Sequence, residues 1–209
     1  MSFLTRLFGG HAPQGEAIIL VSGLPRSGTS MMMKMVEAGG VTPMTDGIRT
    51  PDVDNPKGYY EYERVKNLEK ETDKSYLKDA RGKVIKIISF LLKDLPDDND
   101  YKILFMRRDL GEVLASQNKM LKHRNEEDTS DDAAMRDAYM SHLASVRIMS
   151  RRKQNWSFLE VRYDETVQNP TATAAAVNKF LGGKLNEQAM LAAVDGELYR
   201  NRKDKLPKS

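Results

Sequence analysis

The chain has 209 residues, 40% hydrophobic and 30% charged, with a net charge of +3 and no cysteine. This length makes one domain with a substantial core, and the charge surplus is too weak to argue for a nucleic-acid partner. The lack of thiols excludes a disulfide framework and a thiolate zinc site, and fits a reducing, cytoplasmic location.

Residues 1–16 hold an apolar stretch too short for a secretory leader and read as a flexible tail. A single domain is expected over 17–199, followed by a basic tail at 200–209. The run AIILV at 17–21 predicts a buried strand. The loop GLPRSGTS follows at 23–30, then a helix over 29–38 whose Met31, Met32, Met33 and Met35 form its buried face. A strand, a glycine-bearing loop and a helix N-terminus make an anion cradle, because the loop N–H groups point inward and the helix end carries partial positive charge.

Further along, a helix is expected over 61–79, a strand over 84–89 and a second buried strand over 103–106. Asp109 is a candidate N-cap for a helix over 109–122. The polar stretch HRNEEDTSDD at 123–132 reads as a loop and candidate lid, leading into a helix over 132–153. A strand over 158–161 and helices over 171–181 and 186–199 complete the map. Strands alternating with helices predict an α/β fold, a central parallel sheet flanked by helices with ligands at the carboxyl ends of the strands. His11, His123 and His142 are too scattered for a metal cluster, and no apolar run reaches the length of a membrane span.

Gly23 and Gly28 stand at the spacing of the nucleotide-triphosphatase loop G-x-x-x-x-G-K-[ST], with Ser30 in the hydroxyl position. Thr29 occupies the lysine position, and the loop's cation is Arg26 instead. The segment Pro25-Arg26-Ser27-Gly28-Thr29-Ser30 resembles the phosphosulfate-binding loop of the sulfotransferases, P-[KR]-S-G-T-[ST], in the arginine form of the bacterial and tyrosylprotein branches. Two later segments agree. YKILFMRRDLGEVLASQNKML, at 101–121, resembles the family's strand-to-helix passage with an arginine at the strand end and a serine eight residues on. FLEVRYDETVQNP, at 158–170, resembles L-x-Y-E-D-L-x-x-N-P, with Asp164-Glu165 inverting the acidic pair and Phe180-Leu181-Gly182 closing the next helix. The resemblance spans residues 17–183.

The resemblance implies the P-loop-like sulfotransferase fold and sulfuryl transfer from 3′-phosphoadenosine 5′-phosphosulfate to a hydroxyl or amine, without a metal. The acceptor, whether small molecule, sugar or peptide, stays open, as does the oligomeric state. Arg26, Ser27, Gly28, Thr29 and Ser30 would hold the phosphosulfate. Arg108 with Ser116 would hold the 3′-phosphate, with Arg107 as the alternative, and Tyr163 would approach the adenine. Lys86 falls where cytosolic members have the lysine of Lys-Thr-His. A lysine in an apolar strand aims at an anion or reaches for water. The histidine of that element falls on Ile88, so the general base lies elsewhere. Asp46, with Arg49 after it, matches the glutamate of the tyrosylprotein branch, and Glu61 is its rival. The plainer roles are a turn residue before Gly47 for Asp46 and a helix start for Glu61. Arg202-Lys203 resembles a late basic element that lacks its glycine. Two other functions share the fold: a kinase-like phosphoryl-transfer enzyme, and a nucleotide-binding interaction module that has lost catalysis.

Overall fold

A computed structural model describes residues 15–48, 60–123 and 131–194. Four parallel strands, β1 (Ile18–Gly23), β2 (Val84–Lys86), β3 (Tyr101–Arg107) and β4 (Trp156–Arg162), form one sheet in the order β2-β1-β3-β4. The central strands β1 and β3 pair from Ile18 opposite Tyr101 to Gly23 opposite Met106, so they end side by side. Both are near-continuously buried, as expected of strands covered on both faces. The helices are α1 (Thr29–Ala38), α2 (Leu110–His123), α3 (Asp132–Arg152), α4 (Tyr163–Gln168), α5 (Pro170–Leu181) and α6 (Glu187–Ala192).

Alternation along the strands splits the core in two. Ile18, Leu20, Ile103 and Phe105 pack against Val113 and Leu114 of α2 and Leu143 and Val146 of α3. Val21, Leu104, Met106 and Val161 face Met32, Met33 and Val36 of α1 and Val177 of α5. The methionine run is core, as its spacing implies.

The expected helix over 61–79 is instead two 3-10 turns, Glu63–Asn67 and Ser75–Ala80. Between them the Asp73 carboxylate accepts the Ser75 N–H at 2.9 Å, a side-chain bond that replaces helical pairing. The strand expected over 84–89 stops at Lys86. The Ile87 N–H still donates to Val21 O at 3.1 Å, but Ile88 then leaves the sheet and a 3-10 turn, Ser89–Asp94, begins. β4 runs longer than the apolar core of 158–161 because its pattern alternates between buried and exposed positions. α4 was not expected. It is separated from α5 by Asn169, whose side chain accepts the Ala172 N–H at 3.2 Å ahead of Pro170. The outer edge of β2 is covered by the segment at 42–44, where Met44 N–H donates to Val84 O at 2.8 Å and Val84 N–H to Thr42 O at 3.0 Å. The helix expected over 186–199 closes early, at Ala192, where the Ala193 N–H turns back to the carbonyls of Ala189 and Met190. Most of the candidate lid, residues 1–14 and 200–209 of the tails (Arg202-Lys203 among them), and Arg49 lie outside the described residues.

One contact ties the turn after β2 to α3. His142 Nε2 lies 2.8 Å from the buried Ser89 Oγ, and its ring stacks on Phe90 at 4.0 Å. Burial lowers the pKa of this imidazole below its ordinary 6.5. The unfolded chain therefore binds more protons below about pH 6.5, and this contribution to stability is lost as the pH falls further. The melting temperature is expected to drop between pH 7.5 and 5.5 by more in the wild type than in His142→Gln, as followed by circular dichroism.

Candidate functional site

The loop leaving β1 is shaped by backbone constraints. A Cβ at Gly23 would lie 2.5 Å from Ser27 Oγ and 2.7 Å from Met106 O, so no side chain fits there. Ser27 is buried, and both its hydroxyl and its N–H donate to Leu24 O, at 2.6 and 3.2 Å. Its polar groups thus close the turn. Gly28 has a φ of 99°, and a Cβ on it would fall 2.3 Å from Cδ2 of Tyr163. Its carbonyl accepts the N–H groups of Met31 and Met32 as α1 begins at Thr29. The first N–H groups of a helix have no intrahelical acceptor, and here they belong to Thr29 and Ser30, both half-buried at the mouth of the loop.

The chain leaving β3 meets this loop. Asp109 Oδ1 accepts the N–H groups of Gly111 at 2.9 Å and Glu112 at 3.4 Å, the capping role that the sequence predicts. Arg108 donates from Nε to Glu112 Oε2 at 2.9 Å and from Nη1 to the carbonyl of Arg26 at 3.1 Å. Its guanidinium lies over the Tyr163 ring, 4.6 Å from the centroid. Arg26 has a φ of 66°, a left-handed conformation uncommon outside glycine. Its Nε donates to Ser116 Oγ at 3.1 Å. Arg26, Gly28, Arg108, Ser116 and Tyr163 thus form one cluster at the carboxyl ends of β1 and β3. Tyr163 is buried there against the loop itself.

Arg107 turns away from the cluster. Its Nη1 lies 3.9 Å from Glu160 Oε2 of β4, on a partly exposed face. Glu112, which sequence reasoning did not select, sits inside the cluster. The available signal is its placement in the first turn of α2, four residues after Arg108.

A second group gathers at the end of β2. Lys86, with a side chain 9% exposed, has its Nζ 3.7 Å from Glu61 Oε1, and Lys66 Nζ is 3.0 Å from Glu61 Oε2. Burial opposes the charge of Lys66, but hydrogen bonds and attraction from Glu63 and Glu61 outweigh it and raise its pKa. Asp46 adjoins this group with both carboxylate oxygens engaged: Oδ1 accepts the Ile48 N–H at 3.1 Å and Oδ2 the Glu63 N–H. The Glu61 carbonyl accepts Thr45 Oγ1–H at 2.9 Å and the Asp46 N–H at 3.3 Å. The two candidate bases are therefore neighbours, with Asp46 fastening the strand of chain that carries Glu61. Since Lys86 pairs with Val21 of β1, this group and the loop open on the same end of the sheet.

Gly28→Ala is expected to destabilise the protein by about 2–4 kcal/mol, from left-handed strain plus the clash with Tyr163. Urea unfolding measures it.

Among the described residues, no His, Asp and Glu side chains group as a metal site, and no helix is long and apolar enough to cross a membrane. No curated protein matches the chain. Solved structures do. The sulfotransferase domain from the Synechococcus PCC 7002 olefin synthase superposes with a TM-score of 0.54 at 16% identity, covering 90% of this chain and 81% of that one. Mouse sulfotransferase SULT7A1 complexed with PAP gives 0.52 at 17% identity, covering 91% and 66%. The sulfotransferase domain from the curacin biosynthetic pathway gives 0.51 at 14% identity, covering 88% and 79%. These similarities establish a shared fold: a parallel sheet flanked by helices, with the P-loop-like passage after β1. In sequence, the family described as "Sulfotransferase domain" matches residues 16–205, nearly the whole chain. The chain belongs to the sulfotransferase domain family.

Proposed function

We propose that this protein transfers a sulfuryl group from 3′-phosphoadenosine 5′-phosphosulfate to an acceptor hydroxyl or amine. The observation that carries the reading is the direct joining of two cationic grips, Arg26 on the loop and Arg108 after β3, by the bond from Arg108 Nη1 to the Arg26 carbonyl, with Ser116 against Arg26 and Tyr163 under Arg108. The donor has two anionic ends, and this cluster offers a cation to each. Arg26 and the N–H groups opening α1 would face the phosphosulfate, and Arg108 with Ser116 the 3′-phosphate. The fold is shared with a mouse sulfotransferase whose structure contains PAP, which supports the same donor class.

Sulfuryl transfer, like phosphoryl transfer, is expected to pass through a loose in-line transition state with charge growing on the departing bridging oxygen. Lys86 is the second cation proposed to meet that charge. Glu61 is proposed as the base that takes the acceptor's proton, because it lies beside Lys86 and its oxygens face lysine side chains, Lys86 and Lys66, whereas both oxygens of Asp46 hold backbone N–H groups. Asp46 then serves to place Glu61.

Thermal stabilisation by adenosine 3′,5′-bisphosphate tests the donor. At a hundredfold excess over Kd, a ligand that binds only the folded state adds about 2.7 kcal/mol. A shift with the bisphosphate and none with ADP and magnesium is expected. The reverse would replace this reading with the kinase-like one.

A further inference from the structure

Glu112 is the feature that sulfuryl transfer by itself does not explain. It is 2% exposed, the one buried acidic residue among the described residues, and it lies inside a cluster read as a grip for anions. A carboxylate there repels such a ligand, and its burial is tolerated only with a cation against it. That cation is Arg108, and the two side chains are 3% and 7% exposed.

We infer that Glu112 is a positioning residue: through Arg108 it holds Arg26 in its left-handed conformation, so that the 3′-phosphate grip and the sulfuryl-binding loop move as one unit. The inference rests on the donor proposed above. A guanidinium is planar, with its N–H groups in a fixed fork. Once Nε points at Glu112 and one face lies on Tyr163, the direction of Nη1 is set, and it meets the Arg26 carbonyl at 3.1 Å. Arg26 and Tyr60 are the non-glycine residues with positive φ among the described residues, and such a conformation persists only where its surroundings impose it. The Arg26 side chain is fixed from the same helix, by Ser116, one turn beyond Glu112 and on the same face. One face of α2 thus anchors the loop arginine twice: by its side chain through Ser116, and by its carbonyl through Glu112 and Arg108. The 3′-phosphate grip cannot shift without moving the Arg26 carbonyl.

The test compares two nucleotides, adenosine 3′,5′-bisphosphate and adenosine 5′-monophosphate, which lacks the 3′-phosphate. Both are titrated calorimetrically into the wild type, Glu112→Gln and Glu112→Asp. Glu112→Gln is expected to weaken the bisphosphate about tenfold or more and the monophosphate by about threefold or more, since the loop slackens for both. Glu112→Asp keeps the charge and is expected to recover part of each loss. Should Glu112→Gln fail to fold, the aspartate variant carries the test, with smaller losses on both ligands. A loss confined to the bisphosphate would overturn the coupling and leave Glu112 serving the 3′-phosphate alone. Wild-type affinity for both in the variants would overturn any positioning role. Failure of the wild type to bind either nucleotide would instead overturn the donor reading.

Discussion

Glu61→Gln is expected to reduce turnover by about 10²–10⁴-fold, the usual contribution of a positioned general base. The amide keeps the size of the side chain and removes its capacity to take a proton. Affinity for adenosine 3′,5′-bisphosphate is expected to stay within about fivefold, since Arg26, Arg108 and Ser116 are untouched. A modest loss of stability accompanies the change, because Lys86, 9% exposed, loses an ion-pair partner. Release of the bisphosphate from the donor, with and without acceptor, measures turnover, and calorimetry measures binding. Asp46→Asn is the control. It weakens the hold on the N–H of Glu63 and is expected to give a smaller loss, by loosening the chain around Glu61. Near-normal turnover in Glu61→Gln, together with collapse in Asp46→Asn, would pass the role of base to Asp46.

Arg108→Ala is expected to weaken the bisphosphate by about 10- to 150-fold, or about 1.5–3 kcal/mol, the range for a hydrogen-bonded charge. The same substitution leaves the buried Glu112 without its cation, which costs about 3–5 kcal/mol of stability. Binding is therefore measured at low temperature on protein shown to be folded, with urea unfolding run beside it. Arg107→Ala provides the contrast. Its partner Glu160 is 3.9 Å away on a partly exposed face, an arrangement worth about 0–1 kcal/mol, so both affinity and stability are expected to change little. Comparable losses of affinity in the two variants would move the 3′-phosphate contact away from Arg108.

The passage from β1 through the loop into α1 was legible because its signals are local. An apolar run, two glycines at fixed spacing and a methionine-rich helical face each constrain the chain within a few residues. The same holds for Asp109, whose cap is formed with its immediate neighbours. The segment at 61–79 misled because Val65, Leu68, Tyr76 and Leu77 recur at a spacing that two short 3-10 turns bury as well as one helix does. At the start of the second turn the Asp73 carboxylate takes the Ser75 N–H, a side-chain bond that periodicity does not register. Contacts across the fold were the least legible. Tyr163 is seated on Gly28, more than a hundred residues earlier, and no spacing rule joins them. Glu112 carries no signal in the sequence beyond standing four residues after Arg108, and its burial is what makes it part of the site. Asp46 and Glu61 read as competitors in sequence, yet the fold places them side by side.

The covering of β2 by the segment at 42–44 has a consequence for how the molecule meets copies of itself. A parallel sheet can be extended by an incoming strand only where backbone groups stand open, and open edges are templates for aggregation. Here one side is already occupied by the chain's own backbone, bonded to Val84 in both directions. The other side is β4, on whose exposed positions stand Glu160 and Arg162, with Arg162 held in ion pairs to Asp164 and Glu165. A strand docking there would have to align with fixed charges of both signs. The sheet of the described residues is thus closed by its own chain at one margin and guarded by charge at the other, which protects it against fibril-like stacking.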